Sequence, residues 1–216
     1  GDWLTSGSSS VGKIEIHYEG KIHKVKARKN MLLDIFTVDE LYMIASNVQQ
    51  VHKAIVKAEL GKLRIAVASD LGTYLQMAYV QYLSNGFYNA WPGMTLNETA
   101  AQTLDRLNEM LKLAAKCFGL PFDFAQFDHQ PETPELKVIA EKIINTARPN
   151  APDKAEFDAM AARIINSFDN QILIARDGEE VGEWPVGKGL ASGIAWTSIM
   201  GIAWNIVITT IATAII

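Results

Sequence analysis

Two carboxylates punctuate an apolar run, Pro121-Phe-Asp-Phe-Ala-Gln-Phe-Asp128. Asp123 lies between Phe122 and Phe124, where an ionised carboxylate is expensive unless a cation or a hydrogen-bond donor accompanies it. Held at a strand end, such a carboxylate suits magnesium, which takes carboxylate and phosphate oxygens together. The plainer alternative is an aspartate that caps a turn. Further along, Gly187, Gly189 and Gly193 loosen a loop that reads Gly189-Leu-Ala-Ser-Gly-Ile-Ala-Trp-Thr197. Glycines let such a loop move, although glycine-rich loops before helices are often simple turns. Upstream, Lys57, Lys62 and Arg64 stand in Lys57-Ala-Glu-Leu-Gly-Lys-Leu-Arg64. Arginine can hold a phosphate with two parallel hydrogen bonds, yet the same charges serve equally as a solvated surface.

The elements that must position these groups alternate irregularly between helix and strand. Lys13 to Lys26 alternates apolar and polar residues around Glu19-Gly20, which predicts a hairpin. Thr37-Val-Asp-Glu40 is a capping box, and the apolar positions Leu41, Ile44, Ala45, Val48, Val51 and Ile55 predict a helix running through them. Lys62 to Ala68 is β-prone, and a tyrosine-rich helix follows through Tyr82. Thr95-Leu-Asn-Glu98 reads as a second capping box, opening a helix with Leu104, Leu107, Leu111 and Ala115 on one face and an end near Gly119. Phe122 to Phe127 reads as a buried strand. A helix capped by Thr133 with Pro134 in its first turn comes next, then one beginning near Asp153. Asp177-Gly178 between Ile172–Ala175 and Val181–Trp184 predicts a second hairpin. Without a regular βαβ alternation, the class is α+β and helix-rich.

Composition excludes several functions. Nearly half the residues, 49%, are apolar, enough for a sizeable core and too many for global disorder. Cys117 is the only cysteine, so no internal disulfide or cysteine-based zinc site forms; it is expected in the core at a helix end. The four histidines (His17, His23, His52, His129) lack metal-ligand spacing, and His129 beside Asp128 reads as structural. Residues 1–64 carry ten basic and seven acidic groups, the remainder ten and seventeen; a basic front half can meet phosphates. Trp3, Trp91, Trp184, Trp196 and Trp204 are expected as core or loop anchors. No signal-peptide pattern is present, and both ends look cut, as in a fragment.

In this order, the segments resemble motifs F, A and B of viral RNA-dependent RNA polymerases. The resemblance spans Thr5 to Asn205, and Lys62-Leu-Arg64 followed by Asp70, with the Phe-Asp start of motif A, is nearest to the totivirus-like branch of double-stranded-RNA viruses. It implies a right-hand polymerase: fingers over 1–118 and 132–188, a palm strand over 119–131, and a palm loop and helix over 189–216. Asp123 matches the catalytic aspartate that binds Mg2+ or Mn2+. Asp128 matches the residue that reads the ribose 2′ hydroxyl. Ser192, Gly193 and Thr197 match motif B, while Gly201 stands at the family's asparagine position and Asn205 follows one helical turn later. Lys57, Lys62 and Arg64 match the cations that line the NTP path. Ser6, Gly7 and Ser8 resemble the template-side loop of motif G. The implied activity is RNA-templated RNA synthesis by two-metal nucleotidyl transfer. The expected partners are RNA template, nascent RNA, NTPs and a viral capsid protein, without a membrane, in the host cytoplasm or the virion. No Gly-Asp-Asp follows motif B, so the fragment is expected to be inactive alone.

A rival reading comes from Ser198 to Ile216, which is uncharged and of transmembrane length. It makes the chain a non-enzymatic soluble domain with a C-terminal membrane tail.

Overall fold

The computed structural model describes residues 10–18, 20–28, 31–59, 61–117, 119, 124, 127–177 and 180–215. Strands β1 (Ser10–Tyr18) and β2 (Lys21–Arg28) pair antiparallel, with Tyr18 opposite Lys21. This is the hairpin that the alternation of Lys13 to Lys26 predicts.

The capping box at Thr37 is present: the Thr37 amide donates to Glu40 Oε2 at 2.8 Å and the Glu40 amide to Thr37 Oγ1 at 3.3 Å. After a short α1 (Leu32–Ile35), it opens α2 (Val38–Ala45). The expected continuation of this helix to Ile55 is wrong. Helix α2 stops at Ala45, and Gln50–Glu59 is strand β3. Asn47 breaks the helix by accepting a hydrogen bond from the Gln49 amide at 3.1 Å, a local turn contact that competes with helical pairing. The β-branched Val51 then pairs with Ile172, Ile55 with Ala66 and Val56 with Ile65, and this strand pairing overrides their helical spacing.

Strand β3 pairs antiparallel with β4 (Lys62–Ser69) and parallel with β5 (Gln171–Asp177); β5 pairs antiparallel with β6 (Glu180–Pro185). The result is a four-stranded mixed sheet in the order β4-β3-β5-β6. Asp70 ties it to α3 (Leu71–Leu83): its carboxylate accepts from the Thr73 amide at 2.8 Å, the Thr73 hydroxyl at 2.7 Å and the Val51 amide at 2.9 Å.

Helix α4 (Ala100–Ala114) starts from a box at Thr99 and Gln102, not at Thr95 and Glu98. Glu98 instead holds Arg106 at 2.8 Å. Its leucine stripe, Leu104, Leu107 and Leu111, is exposed, and so is Cys117, against the expectation of a core position. Helix α5 (Thr133–Ala147) is capped by Glu132, one residue before the expected Thr133; α6 (Lys154–Ser167) is capped by Asp153. The expected strand over Phe122 to Phe127 lies mostly outside the described residues, and its end, Phe127–His129, is a 3-10 turn.

The main core gathers α3, α5, α6 and the start of α7 (Thr197–Ile215), through Met77, Val80, Ile143, Ile164, Trp196 and Met200. Trp196 is fully buried and donates its indole N–H to the Met77 carbonyl at 2.8 Å. Trp204 is also an anchor, donating to Glu135 Oε2 at 2.9 Å, whereas Trp184 is exposed. Among the described residues, α7 alone is long and apolar enough to cross a membrane. Its first half, Ile199 to Trp204, is largely buried in the core, and its outer half is exposed.

Candidate functional site

Side chains alternate across a strand, so the register sorts the sheet into two faces. On one face His52 lies opposite Ser69 and Leu173, Ala54 opposite Val67, and Val56 opposite Ile65. On the other, Lys53 lies opposite Ala68 and Ile174, Ile55 opposite Ala66, and Lys57 opposite Arg64.

The first face is the floor of a cleft of about 310 Å³. His52, Ile65, Val67 and Leu173 form the floor; Asp128, His129 and the segment 186–192 form the wall. The wall is held by backbone geometry. The Leu190 amide donates to the Asp128 carbonyl at 2.7 Å and the Gly189 amide to the Pro131 carbonyl at 3.0 Å. Gly189 has φ of +97° and approaches so closely that an added Cβ would lie 2.9 Å from the Asp128 oxygen; only glycine meets both demands. The next residues close onto β4. The Val67 amide donates to Ser192 Oγ at 3.2 Å, and a Cβ on Gly193 would lie 1.9 Å from the Val67 carbonyl oxygen.

His52 is the one buried titratable group of the floor, 1% exposed. Its Nε2 is 3.1 Å from Gln171 Oε1, and Gln171 Nε2 donates to the Phe168 carbonyl at 3.0 Å. That second bond orients the amide, so Gln171 Oε1 accepts, His52 Nε2 donates, and Nδ1 is the bare acceptor. Burial lowers the His52 pKa below the ordinary value of 6.5, with Gln171 and the charge of Asp70 opposing, so the ring is neutral at pH 7.

Phe124, Phe127 and Trp204 form an aromatic cluster with centroids 5.5–5.6 Å apart. It pins the segment before Asp128 to α7. Gly201 completes this contact: an added Cβ would lie 3.2 Å from Phe127 Cε1. A larger residue at 201 therefore meets the Phe127 ring, which accounts physically for glycine at a position where asparagine was expected.

The structure brings Asp128, Ser192 and Gly193 together around the cleft. Thr197 sits behind the loop, its hydroxyl shared between the carbonyls of Ala191 at 2.7 Å and Ile194 at 2.8 Å. Asn205 is half-buried on α7 and its Oδ1 is buried without a hydrogen-bond partner among the described residues. Lys57, Lys62 and Arg64 occupy strand positions of the opposite face, by the same register that puts Ile65 and Val67 on the floor. Asp123, Ser6, Gly7 and Ser8 lie outside the described residues. Among the described residues no group of three His, Cys, Asp or Glu gathers to hold a metal ion; these residues alone do not fit one, and no step is assigned to it. Sequence reasoning missed His52, Phe127 and Lys188, which pairs with Glu132 at 3.3 Å on the cleft wall. The even-numbered burial of Gln50 and His52 was legible only once β3 was known to be a strand.

No protein-family model matches the chain. The chain is 24% identical over 211 residues to a protein described as a probable RNA-directed RNA polymerase of Giardia lamblia virus (isolate Wang). The match covers 94% of this chain and 10% of that protein, so the chain spans about a tenth of the length of the curated relative it matches. The similarity is distant and extends over most of the chain.

Proposed function

We propose that the chain is the fingers and first half of the palm of a viral RNA-dependent RNA polymerase, of the totivirus-like branch. The observation that carries the reading is that Asp128, Ser192 and Gly193, which the ordered resemblance names from two distant segments, come together around one cleft. The turn at Asp128 bonds to Leu190, and the Ser192-Gly193 loop seats on β4. The distant likeness to a probable RNA-directed RNA polymerase over most of the chain supports it.

On this reading Asp128 and Ser192 at the cleft, with Asn205 from α7, take the ribose of an incoming ribonucleotide. A carboxylate, a hydroxyl and an amide can each bond a sugar hydroxyl. The resemblance gives Lys57, Lys62 and Arg64 the triphosphate charge, against their strand positions on the sheet face opposite the cleft, and gives Ser6, Gly7 and Ser8 the template. Magnesium or manganese at Asp123 would supply charge compensation to the reacting phosphates when bound. The same two stretches that the reading assigns to fingers, 1–118 and 132–188, contribute β3 with β4 and β5 with β6 to one sheet, which favours treating them as one unit. Burial of the first half of α7 in the core favours a palm helix over a free membrane anchor. Template RNA, nascent RNA, NTPs and a capsid protein are the partners this reading carries, in the host cytoplasm or the virion.

The test is Asp123→Asn in a polymerase that contains this chain. Template-directed incorporation of labelled NTP should be lost while RNA binding persists. A variant that retains more than a few per cent of the wild-type rate would remove Asp123 from the metal site. The 216-residue chain by itself should incorporate nothing, since its sequence holds no second motif aspartate of the Gly-Asp-Asp kind.

A further inference from the structure

Helices α2 and α6 both rest on α3 and leave a groove of about 460 Å³ between them. Helix α2 lines it with Val38, Leu41, Tyr42 and Ala45, whose spacing makes one helix face. Leu75 of α3 and Phe157 and Met160 of α6 complete the apolar lining. Val38 and Tyr42 remain exposed, so the groove is open to solvent. Charge stands only along α6: Asp153 and Glu156 at its start, Arg163 further on. Glu156 and Arg163 are seven residues apart, which puts them on one face about 10.5 Å from each other along the axis. Arg163 Nε is buried without a hydrogen-bond partner among the described residues, and no salt bridge among them engages Glu156 or Arg163.

A second apolar surface is left open on α4, none of whose residues lines the groove. Leu104, Leu107 and Leu111 share one face of this helix and are between 46% and 69% exposed. Asp105 and Lys112 flank the face, both exposed and again seven residues apart. The order matches that on α6, acid first and base two turns later.

We propose that the groove between α2 and α6 is the docking site for α4 of a second copy of this chain. Charge complementarity selects the occupant and its direction. Laid antiparallel to α6, α4 sets Lys112 against Glu156 and Asp105 against Arg163, with Leu107 and Leu111 between the two pairs. Laid parallel, it would oppose acid to acid and base to base. Leucines at such spacing are the anchors by which an amphipathic helix seats in an apolar groove. The Asp105 carboxylate also gives the buried Arg163 donor the acceptor that it lacks. Lys112 leaves only Glu109, its partner at 2.6 Å in an exposed ion pair of little worth. Groove and stripe lie on different elements, so two copies exchange helices reciprocally or associate head to tail. The contact goes beyond the polymerase reading and does not depend on it.

Sedimentation velocity of the 216-residue chain over a range of micromolar concentrations reads the association, and its mass should rise with concentration. Leu107→Asp, at an exposed position, should leave the chain monomeric throughout with an unchanged circular dichroism spectrum. The outer half of α7 is also apolar and exposed, and association through it would survive that substitution. Reversing one rim charge turns an exposed attraction into a repulsion, so Lys112→Glu and Glu156→Lys should each raise the dissociation constant about tenfold. An equimolar mixture of these two variants should associate like wild type, because each then offers the other a matched helix or groove. Recovery in the mixture requires contact between copies and the antiparallel direction together. A wild-type chain that stays monomeric would overturn the proposal and give the groove to a partner outside this chain. Association that persists in Leu107→Asp, or that the mixture fails to restore, would overturn it as well.

Discussion

The backbone of Leu190 is hydrogen-bonded to the backbone of Asp128, N–H to carbonyl, across 2.7 Å. The contact makes the position of the Asp128 turn depend on the path of the glycine-rich loop, and three residues later Gly193 is pressed against β4. The cleft is therefore shaped by close backbone approaches as much as by its side chains.

Gly193→Ala should be strongly destabilising. Its Cβ would fall 1.9 Å from the Val67 oxygen and 2.7 Å from Ala68 Cα, both backbone atoms that cannot swing aside. Overpacking of this kind costs about 1–3 kcal/mol. Gly187→Ala, where a Cβ meets nothing within 4 Å, is the control and should change the urea midpoint little. Equal midpoints for the two variants would mean that the loop does not seat on β4.

Stability should depend on His52 near neutral pH. Burial lowers its pKa in the folded state below the ordinary 6.5, so the unfolded chain binds the proton more readily. Stability is then full above pH 7 and falls as pH drops through 6.5, by at most about 1.4 kcal/mol per pH unit for one proton. His52→Gln should flatten the curve between pH 7.5 and 5.5, before the carboxylates titrate. A wild-type curve already flat in that window would contradict the buried neutral ring.

Restoring asparagine at 201 should harm the fold rather than help the site. A Cβ there already sits 3.2 Å from Phe127 Cε1 and 3.7 Å from Leu190 Cδ2, and the amide must intrude further. Gly201→Asn should lower the thermal midpoint, whereas Gly201→Ala should be nearly neutral because the helical gain over glycine, about 1 kcal/mol, offsets the squeeze. Phe127→Ala should make Gly201→Asn less damaging than it is alone. Strict additivity in that double-mutant cycle would dissociate the two residues.

Sugar selection should divide between Asp128 and Asn205. The side-chain oxygen of Asn205 is buried without a partner among the described residues, and a site built to bond a hydroxyl rejects the analogue that lacks it. In a polymerase that contains this chain, Asn205→Ala should lower the preference for GTP over dGTP, and Asp128→Ala should lower it further. If Asn205→Ala leaves the ratio untouched while Asp128→Ala collapses it, Asn205 is a packing residue and the ribose is read by Asp128 with Ser192 or Thr197.

The sequence alone determined the features that local physics controls. The Thr37 capping box, the hairpin after Lys13, the strand pair around Asp177 and the helix start near Asp153 each rest on contacts a few residues apart, and all are present. It also marked Asp128, Ser192 and Gly193, through a pattern of residue types that the structure brings around one cleft. The tertiary structure decided what depends on distant partners. Leu41 to Ile55 has helical spacing, but pairing with β4 and β5 turns its second half into a strand, because two rows of ladder hydrogen bonds outweigh a weak local preference. The parallel match of His52 with Leu173 spans most of the chain, and no local pattern sets it. That register alone determines which side of the sheet floors the cleft and which carries the cations, because a shift of one residue exchanges the two faces.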